Sequence, residues 1–113
     1  MPTTIHRAED WEVEWRLEEK NPSTGQLEPL DADTPVSAWL SATDKGDPIT
    51  PESVVTLARR TLELRTDART LWFAVLAAAD VTAALAGIVT GGTAYEVVSV
   101  DGELKSNALI VAD

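Results

Sequence analysis

The stretch DWEVEWRLEE, residues 10–19, alternates two kinds of side chain along its length. Trp11, Val13, Trp15 and Leu17 occupy every second position, and mostly acidic residues stand between them. This period of two is typical of a β-strand buried on one face, because successive side chains of a strand point to opposite faces. We therefore expect a strand whose tryptophans belong to a core and whose carboxylates face water.

Further strand patterns follow along the chain. PVSAWLSAT (35–43) alternates again, and ARTLWFAVLAA (68–78) has the short, apolar composition of a central strand buried on both faces. TAYEVVSV (93–100) and ELKSNALIVAD (103–113) flank an Asp-Gly pair, which favours a tight hairpin. The sequence therefore predicts six or seven short strands.

One helix is expected among these strands. DVTAALAG predicts a short helix near residues 80–86, with Asp80 accepting from its first N–H groups and Gly87 ending it. Residues 52–60 fit a helix start or a strand equally well, and a strand is favoured at 61–66.

These elements predict a mostly β fold, a sandwich of about six or seven strands, with a small β-barrel or an α+β fold as alternatives. Residues 1–8 are expected to form a flexible arm, and residues 9–113 a single domain.

The charge is strongly negative and unevenly distributed. The formal net charge is −10, and residues 1–52 carry twelve acids and four bases, or −8 of that total. This composition argues against nucleic-acid binding, which depends on lysine and arginine, and favours solubility or a basic partner. The sequence shows no apolar signal segment, and its longest apolar run, LWFAVLAAA (71–79), is far shorter than the roughly 20 residues that cross a membrane.

Residues that support catalysis are scarce. The chain has no cysteine and one histidine, His6, in a segment expected to be an arm. A lone histidine without a fixed partner is a poor general base. Turn chemistry accounts for the Asp44–Asp47 segment DKGD more simply than calcium binding does. We therefore expect no enzyme activity, cofactor or metal.

Two features are candidate contact sites. Trp39 falls on the face of its predicted strand that carries Ser37 and Ser41, and an exposed tryptophan on a polar face suggests an interface. A basic cluster is the second candidate and consists of Arg59, Arg60, Arg65 and Arg69.

The order of these segments resembles the small immunoglobulin-like domains of tailed-phage virion proteins. The segments that carry the resemblance are DWEVEWRL, VSAWLSATD, TLWFAVL, DVTAALAG and AYEVVSVDGELKSNALIVAD. The resemblance covers about residues 10–112, and the helix-like Pro51–Arg60 region departs from it. It implies an immunoglobulin-like β-sandwich located in a virion.

The resemblance implies a non-enzymatic role as a neck or tail adaptor, a baseplate component or a capsid decoration. The partners would be other virion proteins or copies of the chain itself, in an oligomeric arrangement on a symmetric scaffold. Two alternatives remain open: a carbohydrate- or other ligand-binding sandwich that uses Trp39, and an acidic inhibitor or DNA mimic that occupies a basic protein.

Overall fold

The computed structural model describes residues 3–30, 33–61 and 70–113, and its strands form two main sheets and a small ribbon. In chain order the elements are β1 (Thr3–His6), β2 (Trp11–Trp15), β3 (Glu18–Lys20), β4 (Leu27–Pro29), β5 (Val36–Ser41), a 3₁₀ turn (Pro51–Ser53), β6 (Val55–Thr56), β7 (Ala58–Thr61), β8 (Thr70–Leu76), α1 (Ala78–Leu85), β9 (Thr93–Val100) and β10 (Glu103–Ala112). The two main sheets have the orders β1-β10-β9-β5-β6 and β2-β8-β7, and β3 pairs with β4 in the ribbon.

The strand order is that of an immunoglobulin-type sandwich. In that fold, strands B, E and D are neighbours in one sheet, and strands G, F and C are neighbours in the other. Here β2, β8 and β7 take the places of B, E and D, while β10, β9 and β5 take those of G, F and C. The expected all-β sandwich with one short helix is confirmed.

The core lies between the two main sheets and includes the first tryptophan strand. Trp11 and Val13 of β2 are 8% and 0% exposed, and Trp72 of β8 is 1% exposed. Glu12 and Glu14, which alternate with them, are exposed. Neighbouring residues of a strand point to opposite faces, so one side of β2 is apolar and buried and the other is acidic and solvated. The division expected for DWEVEWRLEE is confirmed.

Strand β8 is central in its sheet but is not buried on both faces. It pairs with β2 on one side and β7 on the other, and its inward residues Trp72 and Leu76 are buried. On its outer face, Phe73 is half-buried and Val75 is 46% exposed. The expectation of burial on both faces is wrong because α1 buries its apolar residues in the shared core rather than across this face.

Residues Thr3–His6 belong to the sandwich. They form β1, which runs parallel to β10, and Ile5 of this strand is 3% exposed. The domain therefore begins before residue 9, which corrects the boundary expected for an arm over residues 1–8. Burial of Ile5, together with four paired positions on β10, holds this segment in the sheet.

The turn after β1 fixes both ends of α1. Arg7 donates from Nη1 to the Leu85 carbonyl and from Nη2 to the Ile88 carbonyl at 2.6 Å. The Asp10 carboxylate accepts from the Ala78 N–H at 2.8 Å. A cation at the helix C-terminus and a carboxylate at its N-terminus both suit the helix dipole.

The sequence predicted other residues at the two ends of α1. Asp80 lies inside the first turn of α1 rather than before it, and the residue before the helix is Ala77. Gly87, expected as a left-handed stop, is absent from the described glycines with positive φ, so that expectation is wrong. Arg7 supplies the partners of the terminal carbonyls instead.

The ambiguous segment 52–60 resolves into a short turn and two strands. The 3₁₀ turn occupies Pro51–Ser53, and β6 and β7 follow it in different sheets. Leu57 lies between them and is 3% exposed, so its buried side chain marks the point where the chain crosses from one sheet to the other. Of the strand expected at 61–66, only Thr61 lies within the described residues.

Truncation of a core leucine tests the position of the core. Leu40 is 0% exposed, whereas Leu27 is 67% exposed. We expect Leu40→Ala to lower the free energy of unfolding by about 2–5 kcal/mol, because it leaves a cavity. The same change at Leu27 should alter it by no more than about 0.5 kcal/mol. Urea unfolding followed by tryptophan fluorescence measures both, and equal costs would contradict the packing described.

Replacement of Arg7 tests the anchoring of α1. We expect Arg7→Gln to lower the free energy of unfolding by about 1.5–3 kcal/mol, since it removes charge-assisted hydrogen bonds to Leu85 and Ile88. Arg16→Gln is the matched control, because Arg16 is exposed and its replacement removes the same positive charge from the chain. Equal unfolding midpoints of the two variants in urea would show that these bonds contribute no stability.

Candidate functional site

Trp39 lies on the outer face of the five-stranded sheet, as expected, but it is half-buried there. Its indole Nε1 donates to the Gly46 carbonyl at 2.9 Å. Its partner in register on β9 is Val97, which is 0% exposed. Neighbouring side chains at such paired positions are close enough to pack. Trp39 therefore contributes to a small apolar patch of the chain's own structure, and part of the ring remains accessible.

The segment after β5 folds back over this face. Ser106 on β10 donates from its hydroxyl to the Asp44 carboxylate, and Lys45 has a φ of 56°. A Cβ at Gly46 would lie 2.0 Å from the Thr43 hydroxyl oxygen, so only glycine fits without a shift. These contacts agree with the expected turn at Asp44–Asp47 and place it against Trp39.

The basic cluster is only partly within the described residues. Arg59 is exposed and donates from Nη1 to the Leu30 carbonyl at 3.2 Å, so it connects β7 to the loop after β4. Arg60 lies on β7 at the position paired with Leu71. Arg65 and Arg69 lie outside the described residues. A shared contact surface of the four arginines therefore stays a prediction.

A groove of about 430 Å³ lies between β1 and β2, the edge strands of the two sheets. Its walls include Thr3, Thr4 and Trp11, and the single histidine, His6, is also at its rim. Most of the remaining lining consists of carboxylates, namely Glu9, Asp10, Glu12, Glu14 and Glu96. This concentration of acids at one edge of the sandwich gives the groove a negative character.

Glu96 differs from the other acids because it lies on the inner face of its sheet. It is paired in register with Leu40 on one side and Asn107 on the other. Burial raises the pKa of the Glu96 carboxyl above its ordinary value, and a hydrogen bond from Asn107 Nδ2 at 3.2 Å opposes that rise. A half-buried carboxylate therefore stands at the inner side of the groove.

The outer face of the three-stranded sheet includes side chains of β2, the strand that borders the groove. Glu12 of β2 is paired with Val75 of β8, and Glu14 is paired with Phe73. Cross-strand partners lie on one face of a sheet. An exposed valine and a half-buried phenylalanine thus stand directly beside two exposed carboxylates.

Two kinds of feature are absent from the described part of the chain. No group of three or more histidine, cysteine or acidic residues there is arranged to hold a metal ion. Helices long and apolar enough to cross a membrane are likewise absent from those residues. The carboxylates of the groove offer charge and hydrogen-bond acceptors, which suit the binding of a cationic surface.

Sequence reasoning did not identify the groove. The alternation in DWEVEWRLEE predicts that its acids form the solvated side of a strand, but the groove also needs β1 beside β10 and Glu96 turned inward. The single available signal was Glu96 itself, a carboxylate inside the otherwise apolar run TAYEVVSV. Alternation alone does not distinguish such an acid from a surface residue.

Comparison with known proteins finds no matching family model, no matching curated protein and no matching solved structure.

The half-buried Glu96 carboxyl predicts a pH dependence of stability. Because the folded state holds the Glu96 proton more tightly than the unfolded chain, ionisation of Glu96 costs stability. This cost is absent below pH 4.5 and is complete above the folded-state pKa. We therefore expect Glu96→Gln to gain stability relative to the parent chain as the pH rises from about 4 to 7. Urea unfolding at several pH values measures this difference.

Asn107→Ala provides the second arm of this experiment. The variant removes the hydrogen bond that favours the ionised form of Glu96. Its stability should therefore fall more steeply than that of the parent chain as the pH rises. If the stability difference between Glu96→Gln and the parent stays flat or shrinks as the pH rises, partial burial does not raise the pKa of the Glu96 carboxyl.

Proposed function

We propose that this chain is a structural component of a tailed-phage virion or a related particle, and that it acts through protein–protein contacts in several copies. The strand order of an immunoglobulin-type sandwich agrees with the fold that the resemblance implies. The proposal assigns the chain no catalytic step. A neck or tail adaptor, a baseplate piece and a capsid decoration are the roles that such a module would fill.

The observation that carries the proposal is the outer face of the three-stranded sheet. Val75 is 46% exposed at the centre of this sheet, and Phe73 is half-buried two residues before it on the same face. Apolar side chains grouped on a sheet face, with polar residues at the rim, are typical of interaction sites. Burial of this face against another protein would remove the apolar surface from water.

The charges beside this face favour a partner that differs from the chain. Glu12 and Glu14 flank Val75 and Phe73 in register. Two copies joined through this face with their β2 strands opposite each other would bring these carboxylates together, and like charges repel. A particle protein with an apolar, basic surface would bury the valine and neutralise the acids. Several copies would then be arranged by that scaffold rather than by contacts of this face with itself.

The carbohydrate-binding alternative depends on an exposed tryptophan beside polar groups. Trp39 is half-buried, and its indole N–H is already donated to Gly46. A stacking platform needs an open ring face and polar groups that are free to bind a sugar. The geometry at Trp39 therefore does not favour the carbohydrate-binding alternative.

Incorporation into particles tests the proposal. Particles assembled in the presence of the parent chain should contain it at a fixed copy number, which quantitative mass spectrometry of purified particles measures. We expect Val75→Lys to reduce incorporation by at least about tenfold, because it places a charge in the apolar contact. Val89→Lys is the matched control, since Val89 is 76% exposed on the loop after α1.

Circular dichroism and urea unfolding should show that both variants keep the fold. Absence of the parent chain from purified particles would contradict the proposed function. Equal incorporation of both valine variants would contradict the assignment of the contact to this sheet face.

A further inference from the structure

An immunoglobulin-type sandwich has a strand position that this chain leaves empty among its described residues. In constant-type domains, strand A lies beside strand B in the order A-B-E-D. Here the first strand, β1, pairs with β10 in the other sheet, and β2 is the edge of the order β2-β8-β7. Within residues 3–30, 33–61 and 70–113, no strand is paired with the free edge of β2.

The free edge presents backbone groups that can receive another strand. In an antiparallel pair, every second residue turns its N–H and C=O away from the partner strand. Strand β2 pairs with β8 along all five of its residues, from Trp11 to Trp15, so its other side offers these groups in regular order. An extended peptide can add to such an edge through main-chain hydrogen bonds, with alternate side chains giving specificity.

The groove beside this edge determines which strand would fit. Its volume of about 430 Å³ lies between β1 and β2, where an added strand would run. Inward side chains of that strand would lie beside Trp11, which also lines the groove. Outward side chains would lie near Glu12 and Glu14, which are exposed. The groove therefore suits a segment that alternates apolar and cationic residues.

The same carboxylates disfavour pairing between copies of this chain. Two β2 edges placed side by side would bring Glu12 and Glu14 of each copy together, and natural proteins use such charges to prevent edge-to-edge aggregation. A cationic strand meets no such repulsion. These acids therefore favour a cationic strand and disfavour the β2 strand of a second copy.

We propose that the free edge of β2 binds an extended, basic segment of a partner protein by strand addition. The inference rests on the proposed function, since it names the partner chemistry that the particle surface would supply. It concerns a different surface from Val75, which lies on the outer face of the sheet and does not line the groove.

A synthetic peptide that alternates lysine and valine is the probe. Calorimetry should show saturable binding to the intact chain that weakens as salt is added, because exposed charges are screened. Hydrogen exchange should show that the rapidly exchanging amides of β2 become protected in the complex. Two control peptides separate charge from strand pairing: one carries proline at its central valine, and the other alternates glutamate and valine.

Protein variants separate this edge from general charge attraction. We expect the double variant Glu12→Lys with Glu14→Lys to weaken binding of the lysine peptide by at least about tenfold. The control is Glu52→Lys with Glu103→Lys, which changes the net charge equally at exposed positions away from the groove. Its binding should weaken by clearly less. Circular dichroism should show that both double variants are folded.

Three results would overturn the proposal: no binding of the lysine peptide, equal binding of its proline version, or equal loss in the two double variants. A dimer of the parent chain that the peptide dissociates would also overturn it, because the edge would then receive a second copy. The presence or absence of the parent chain in purified particles decides the proposed function separately, so failure of one proposal is distinguishable from failure of the other.

Discussion

The rest of the structure depends on the pairing of β1 with β10. Four parallel positions join these strands, and buried Ile5 secures them. The turn that follows places Arg7 against the C-terminal carbonyls of α1 and Asp10 at its N-terminus. The Thr82 hydroxyl also donates to the Arg7 carbonyl, so helix and turn hold each other. Because β1 lies in one sheet and β2 in the other, the first strand does not cover the edge of β2.

Strand β2 combines three functions in five residues. Its inward tryptophans and Val13 contribute apolar burial to the core, which stabilises the sandwich. Glu12 and Glu14 keep the strand soluble, and they also discourage pairing with another copy. Both surfaces proposed for binding adjoin this strand, one across the outer sheet face and one along the free edge. Four acids of the first half of the chain, Glu9, Asp10, Glu12 and Glu14, line the groove beside this edge.

Sequence patterns predicted the features that depend on neighbouring residues. The alternation around Trp11 located β2 and its buried side, and Asp101-Gly102 located the last hairpin, where φ values of 50° and 88° match a type I′ turn. Features that depend on distant residues were not readable. The partner of β1, the use of Arg7 in place of Gly87 to end α1, and the inward position of Glu96 each arise from tertiary packing. The groove depends on two of these features, the pairing of β1 and the inward position of Glu96, so the sequence alone did not indicate it.

The central claim is that β2 is paired on one side only, and amide hydrogen exchange of the free chain tests it most directly. The account predicts that alternate amides of β2 exchange rapidly, while those facing β8 are protected. Amides of Trp72 and Phe73, whose strand is paired on both sides there, should all be protected. Uniform protection along β2 would contradict the claim, since a further strand would then have to cover its edge.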